Sequence, residues 1–159
     1  MSKKIAVILS GCGVYDGSEI YEATLSLLAL NQIGAEVQCF APDIPQMHVL
    51  NHKTGEEMGE SRNVLVESSR LARGNIMDLK LFNETDFDAV FLPGGFGAAK
   101  NLSTFAKDGA ECTINADVER ALTTAHNAGK PIAALCISPV ILAKLFQGAR
   151  LTLGGEGDA

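Results

Sequence analysis

The sequence lacks the features that mark three common classes of protein. No run of lysine or arginine stands out in its 159 residues, and the formal net charge is −6. Neither a nucleic acid nor an anionic membrane surface is therefore expected as a partner. No apolar stretch approaches the roughly 20 residues that a membrane-spanning helix needs. The first apolar run ends at Ser10, before a glycine-rich turn, and is interpreted as a strand rather than a secretion signal.

Closely spaced cysteines are also missing. The four cysteines lie far apart, and none of them forms a CxxC pair. In a chain without a secretion signal, this pattern predicts reduced thiols and a cytoplasmic location.

Familiar cofactor and metal motifs are absent or incomplete. There is no P-loop and no G-x-S-x-G serine-hydrolase motif. The stretch GCGVYDG has Asp16 where a dinucleotide-binding fingerprint has its third glycine, and Gly17 comes one residue late. His48 and His52 are four residues apart, but prolines flank them and no third ligand is apparent. We expect neither a cofactor nor a metal.

Short apolar runs alternate with longer amphipathic segments along the chain. This alternation predicts one α/β domain over residues 1–159, with a mostly parallel sheet covered by helices on both faces. Gly34 and Gly129 are predicted to end two helices. The predicted strands cover residues 4–9, 35–40, 86–95, 131–136 and 150–155, and the predicted helices cover residues 18–33, 61–72, 116–130 and 138–146.

The end of the chain, LTLGGEGDA, stops in glycine-rich sequence directly after a strand signal. A domain more often closes with an element that docks on the core. We therefore expect a further C-terminal segment to belong to this domain.

Three strand ends are unusual in composition. In open parallel sheets, ligands bind beyond the carboxyl ends of the strands. The segments SGCGVYDGSE, PGGFGAAKN and CISP each follow a predicted strand. If their strands are neighbours, these segments converge.

Cys136 ends the strand PIAALC, and a helix is predicted to start immediately after it. The N–H groups at a helix start favour the thiolate, which is the nucleophilic form of cysteine. Pro139 suits the first turn of that helix, where its missing N–H has no cost. The alternative is that Cys136 is a small buried apolar residue.

Glu19 and the glycines after the third strand are the other candidates. Glu19 lies at the start of the first helix, where it can act as a general base. Alternatively, it forms a capping box with Asp16 as the N-cap. The backbone N–H groups of Gly94 and Gly95 can bind a developing oxyanion, or these residues simply form a tight turn. Cys12 is a second candidate thiol or a small residue packing a turn.

Taken together, these motifs resemble the DJ-1/PfpI superfamily, whose flavodoxin-like fold is related to class I glutamine amidotransferases. The stretches LPGGFGAAKNL and ALCISPV carry that resemblance. SGCGVYDGSEIYEATLSLLAL, followed by CFAPDIPQMHVLNHKTGEE, is similar to the ES1/ElbB branch, which includes isoprenoid biosynthesis proteins with an amidotransferase-like domain.

The resemblance implies a flavodoxin-like three-layer sandwich and a site with defined roles. Cys136 is the implied nucleophile, Glu19 its acidic partner, and the N–H groups of Gly95 and Ile137 the oxyanion donors. Ile137 stands where several members of the superfamily carry a histidine, so no Cys–His dyad is expected at this position. The resemblance also implies a homodimer.

Three functions stay open at this point. The first is a weak glyoxalase III-like activity, which converts glyoxal or methylglyoxal to hydroxy acids without glutathione. The second is a non-catalytic redox-sensing or regulatory role, in which Cys136 is oxidised to a sulfinic acid. The third is a protein-binding module of isoprenoid biosynthesis.

Overall fold

A computed structural model describes residues 2–152 of the chain. Five strands and six helices follow one another along it, with 3-10 turns between β3 and β4 and between α4 and α5. The strands are β1 (Lys4–Ile8), β2 (Glu36–Ala41), β3 (Ile76–Asp78), β4 (Ala89–Leu92) and β5 (Ile132–Ala134). The helices are α1 (Ile20–Gln32), α2 (Val64–Leu71), α3 (Gly97–Lys100), α4 (Phe105–Asp108), α5 (Ala116–Asn127) and α6 (Pro139–Leu145).

The five strands form one sheet in the order β3-β2-β1-β4-β5, and every neighbouring pair is parallel. The central strand β1 pairs with β2 on one side and with β4 on the other, so Ile5 lies opposite both Val37 and Ala89. With helices on both faces, this is the flavodoxin-like three-layer sandwich that the sequence predicted. The predicted mostly parallel sheet is entirely parallel in the residues that the structure describes.

Alternate side chains of β1, and of Leu9 directly after it, belong to two separate cores. Ala6 and Ile8 belong to the core that contains α5 and α6 residues, whereas Val7 and Leu9 belong to the core with Ala23 of α1. Successive side chains of a strand point to opposite faces of the sheet. Because both faces are covered, β1 is apolar from Ile5 onward, which explains the continuous apolar run.

The end of α1 follows the predicted glycine stop. Gly34 adopts a positive φ of 76°, and its N–H donates to the carbonyl of Asn31 at 2.9 Å. The N–H of Ala35 reaches back to the carbonyl of Leu30 at 3.0 Å. These two bonds form a Schellman motif, which satisfies carbonyl groups that the helix itself leaves unpaired. Gly129, with a φ of 70°, lies just beyond α5 in the same way.

The sequence analysis missed β3, which pairs with β2 at the edge of the sheet. Three residues are too few to show a hydrophobic period, so only the pairing partner identifies this strand. The strand predicted over residues 150–155 is absent in its described part, because Arg150, Leu151 and Thr152 are not in a strand. Its remainder lies outside the described residues.

Across residues 2–152, no helix combines the length and the apolar character needed to span a membrane.

Candidate functional site

The strand order brings the three unusual strand ends together. Because β1, β4 and β5 are neighbours, their carboxyl ends meet at one edge of the sheet. The backbone N–H of Glu19 donates to the carbonyl of Gly94 at 2.9 Å, and the N–H of Gly97 donates to the carbonyl of Gly17 at 2.9 Å. Ser138 joins the third segment by donating its hydroxyl to the carbonyl of Pro93 at 2.7 Å. The segments therefore form one site, as the sequence predicted for neighbouring strands.

Cys136 has the backbone conformation of a sharp strand-to-helix turn. Its φ is 56°, a left-handed value that only one other non-glycine residue in the described chain adopts, Arg73. A side chain with a β-carbon is strained in that region by roughly 1–2 kcal/mol. The turn closes where the N–H of Ser138 donates to the carbonyl of Leu135 at 2.9 Å. Strain of this kind clusters at functional sites, where the surrounding structure holds it in place.

Exposure distinguishes Cys136 from the other cysteines, all of which the structure describes. Cys136 is exposed, Cys12 is partly buried, and Cys39 and Cys112 are buried. Burial first, and then the nearby Glu67 carboxylate, raise the pKa of Cys12. Burial raises the pKa of Cys39 to about 11. Cys136 is therefore not the buried apolar residue of the alternative interpretation, and it is the thiol that a solute reaches first.

Because Gly94 has no side chain, the Cys136 side chain and the Glu22 carboxylate both pack close to its α-carbon. A β-carbon added at Gly94 would overlap the Cβ of Cys136 and the Oε2 of Glu22, and would come 3.0 Å from the Sγ of Cys136. The Gly94 N–H donates to the same Glu22 oxygen at 2.9 Å. Any residue larger than glycine would therefore push the thiol or the carboxylate away.

Glu19 has a different position, at the start of α1. It is the N-cap of the helix, and its Oε2 accepts a hydrogen bond from the N–H of Glu22 at 2.6 Å. The capping box with Asp16 does not form, because Asp16 accepts instead from the N–H of Leu50 at 2.7 Å. The structure thus gives Glu19 a capping role, and its catalytic role stays a prediction.

Sequence reasoning overlooked Glu22. It lies three residues after Glu19 in the first turn of α1, and nothing in the local pattern favours one carboxylate over the other. The sequence did indicate that two acidic residues lie at the start of the same helix, and that both are candidates to contact the end of a neighbouring strand. In the folded chain, the Glu22 carboxylate is the one that accepts from the Gly94 N–H, close to Cys136.

The two predicted oxyanion donors lie beside Cys136 with free N–H groups. Within residues 2–152, neither the N–H of Gly95 nor that of Ile137 has a hydrogen-bond acceptor. Gly95 has a φ of 101°, and a β-carbon there would overlap the backbone N–H of Glu19 and the carbonyl of Gly17. Only glycine fits this position without a shift of the neighbouring backbone.

His48 and His52 lie in the long loop after β2, and each has one carboxylate at 3.8 Å, Glu57 for His48 and Asp16 for His52. Among the described residues, no group of three or more histidine, cysteine or acidic side chains is arranged to hold a metal. His52 instead accepts a hydrogen bond from the N–H of Tyr15 at 3.2 Å, and the two rings lie 4.9 Å apart. Its contacts hold the loop against the segment that follows β1.

Comparison with known proteins agrees with these features. Residues 3–154 match the model of the DJ-1/PfpI family. The human glutamine amidotransferase-like class 1 domain-containing protein 3, mitochondrial, is 57% identical over 156 residues, which are 98% of this chain and 58% of the human protein. The rat ES1 protein homolog, mitochondrial, is 55% identical over 156 residues, covering 98% of this chain and 59% of the rat protein. This chain therefore spans less than two thirds of the length of these relatives.

Among solved structures, an isoprenoid biosynthesis protein with an amidotransferase-like domain from Ehrlichia chaffeensis is similar to this chain. The TM-score is 0.86 and the sequence identity 44%, over 92% of this chain and 70% of that one. The resemblance drawn from the sequence motifs is confirmed at the level of family and fold.

Proposed function

This chain belongs to the DJ-1/PfpI family, and from that membership we propose that it converts glyoxal-type dicarbonyls to hydroxy acids without glutathione. The single observation that carries the proposal is the strained, exposed Cys136, with a φ of 56°, beside a carboxylate and two free N–H groups. A nucleophile, a proton carrier and an oxyanion site are the parts that this reaction requires.

The proposed reaction starts when the Cys136 thiolate adds to the aldehyde carbon of the substrate. The carbonyl electron pair moves to oxygen, where the N–H groups of Gly95 and Ile137 stabilise the alkoxide until it is protonated. A carboxylate then takes the proton from the former aldehyde carbon, giving an enediol, and returns it to the neighbouring carbon. This transfer oxidises the first carbon to a thioester and reduces the second to an alcohol. Water cleaves the thioester and regenerates the thiol, so one water molecule is added overall.

We propose Glu22 as the carboxylate that carries the proton. Its Oε2 and the Sγ of Cys136 both lie within 3.0 Å of the position that a β-carbon of Gly94 would take, whereas the Glu19 carboxylate accepts a hydrogen bond from the backbone N–H of Glu22. Glu19 remains the second candidate, since the family resemblance assigns the role to that position. In either case the bond from the Gly94 N–H orients the Glu22 carboxylate.

The test is hydroxy-acid formation from methylglyoxal and glyoxal, with variants at the three side chains. Cys136→Ala is expected to abolish turnover, and Glu22→Gln to lower kcat/KM by about 10²–10⁴-fold, the usual contribution of a general base. Glu19→Gln is expected to retain most of the activity. A severe loss in Glu19→Gln with activity kept in Glu22→Gln would reassign the shuttle to Glu19. Turnover that persists in folded Cys136→Ala contradicts the whole proposal.

Redox sensing is a second candidate, favoured by the exposure of Cys136 in contrast to the buried Cys39 and Cys112. In this function, the thiolate attacks one oxygen of hydrogen peroxide and releases water after protonation, leaving a sulfenic acid. A second peroxide oxidises it to the sulfinic acid. Peroxide treatment followed by mass spectrometry is expected to show sulfinic acid at Cys136 alone. Selective oxidation without dicarbonyl turnover would favour the sensor, and uniform oxidation of the cysteines would count against it.

The expected homodimer is part of the proposal. Supporting it, three apolar residues, Tyr21, Leu25 and Leu28, lie exposed along α1 at helical spacing. Sedimentation velocity measures the association state directly.

A cytoplasmic location is likewise proposed. The human and rat relatives are named mitochondrial, and subcellular fractionation distinguishes a cytoplasmic from a mitochondrial location. A link to isoprenoid biosynthesis rests on the name of the Ehrlichia chaffeensis protein.

A further inference from the structure

A cavity of about 520 Å³ lies beside the candidate site. Small-molecule sites commonly have volumes of about 300–1,000 Å³. Glyoxal has no substituent and methylglyoxal has a single methyl group, so both would leave most of this space unfilled. The walls that matter here come from six residues: Tyr15, Leu50, Phe96, Lys100, Phe105 and Ile137.

The cavity adjoins the oxyanion site at Ile137 and Phe96. Ile137 contributes to its wall and also carries one of the two free N–H groups. Phe96, another wall residue, directly follows Gly95, which carries the second. A carbonyl oxygen bound by these N–H groups therefore places the adjacent substituent at the mouth of the cavity.

The walls are mainly aromatic and aliphatic, with one charged residue. The Lys100 ammonium donates to the carbonyl of Tyr15 at 2.6 Å and lies 5.3 Å from the centre of the Phe96 ring. Burial is the main cause that lowers the pKa of Lys100. The ammonium is thus held against the wall by a carbonyl and an aromatic face, and the remaining surface suits an apolar, flat group.

We propose that this cavity binds the substituent of the dicarbonyl substrate, and that the preferred substrates are α-oxoaldehydes with an aryl or similarly bulky apolar substituent. Phenylglyoxal is the simplest of these. This inference rests on the proposed function and adds the substrate class to it. The chemistry is unchanged: one water is added, the aldehyde carbon becomes the carboxylate, the ketone carbon becomes the alcohol, and mandelate is the product.

Phe105 is the residue that tests the cavity without altering the reacting groups. It lies at the start of α4, is partly buried, and its backbone N–H donates to the hydroxyl of Ser103 at 3.4 Å, a bond that a substitution retains. Leu81 is a matched control, because it is an apolar residue, 64% exposed, that does not line the cavity.

The experiment compares kcat/KM for phenylglyoxal and methylglyoxal. The unsubstituted protein is expected to favour phenylglyoxal by about tenfold or more, the effect of filling an apolar pocket. Phe105→Ala is expected to reduce that ratio by a similar factor, and Leu81→Ala to leave it unchanged. An equal or reversed preference in the unsubstituted protein, or an unchanged ratio in Phe105→Ala, overturns the inference.

A binding measurement separates this inference from the proposed function. Mandelate and lactate are titrated into folded Cys136→Ala and followed by NMR. Mandelate is expected to bind about tenfold more tightly than lactate, and Phe105→Ala in that background is expected to remove the difference. Selective mandelate binding with no turnover of either aldehyde in the unsubstituted protein would count against the proposed function alone. Equal affinities for the two acids would overturn the cavity assignment even if turnover occurs.

Discussion

The Oε2 of Glu22 and the Sγ of Cys136 both lie within 3.0 Å of the point that a β-carbon of Gly94 would occupy. This relationship joins α1, the turn after β4 and the turn after β5 at one place. Gly94 matters as much as the two side chains, because the absence of a β-carbon there provides the space that both occupy.

Gly94→Ala is therefore expected to disturb the site and the fold together. The added methyl group overlaps the Cβ of Cys136 and the Glu22 carboxylate, and overpacking of this kind commonly costs about 1–3 kcal/mol. Thermal unfolding measures the loss, and alkylation of Cys136 by iodoacetamide reports the altered environment of the thiol. Gly59→Ala is the matched control, because nothing lies within 4 Å of a β-carbon there. Equal stability of the two variants would show that the contact is easily relieved.

Substitutions of Cys136 test the backbone strain separately from the thiol. Cys136→Ala and Cys136→Gly both remove sulfur, but only glycine relieves the φ of 56°. The relief is worth roughly 1–2 kcal/mol, and the greater freedom of glycine in the unfolded chain offsets about 0.5–1 kcal/mol of it. Urea unfolding is expected to show Cys136→Gly about 0.5–1 kcal/mol more stable than Cys136→Ala. The opposite order would mean that the turn relaxes without strain.

The amide of Asn101 is expected to be a main stabilising contact of the segments around the site. It donates to the carbonyls of Ser10 and Asp16 at 2.8 and 2.9 Å, and accepts from the N–H of Met47 at 2.9 Å. Asn101→Ala removes these three bonds and leaves the carbonyls of Ser10 and Asp16 unpaired where they are buried, at a cost of about 2–4 kcal/mol for the set. Denaturant unfolding checks the loss. Asn127, which is exposed, provides the control. A comparable loss of stability in Asn127→Ala would contradict the assignment of the effect to the hydrogen bonds of Asn101.

Stability is expected to fall in alkaline solution because of Cys39. Burial raises the pKa of this thiol from 9.0 to about 11 in the folded protein. Below pH 9 the thiol is protonated in both states, and its contribution is fully present. Between about pH 9 and pH 11 the unfolded chain loses the proton while the folded chain keeps it, so the free energy of unfolding decreases by roughly 2–3 kcal/mol.

Urea unfolding at pH 8 and at pH 10.5, with Cys39→Ala as the reference, isolates this effect. The unsubstituted protein is expected to lose more stability over that interval than the variant, since all other titrating groups are shared. Parallel losses in the two proteins would exclude Cys39 as the cause.

The sequence alone determined the alternation of strands and helices, the parallel sheet, and the strand end that carries Cys136. These features follow from local patterns: continuous apolar runs mark strands buried on both faces, and glycines such as Gly34 end helices because they tolerate a positive φ. The edge strand β3 escaped detection because its three residues are defined by pairing with β2 rather than by a pattern of their own.

Only the tertiary structure shows that the Glu22 carboxylate lies close to Cys136. Glu19 is the N-cap of α1 and Glu22 lies in its first turn, and the sequence does not distinguish the two carboxylates. The Gly94 N–H, which comes from another strand end, holds the Glu22 carboxylate near Cys136, while the Glu19 carboxylate caps the helix. The cavity beside the site is equally a product of folding, because its walls come from loops and helices far apart in sequence. Periodicity and turn chemistry are local properties, whereas the meeting of side chains depends on how the strands are ordered and packed.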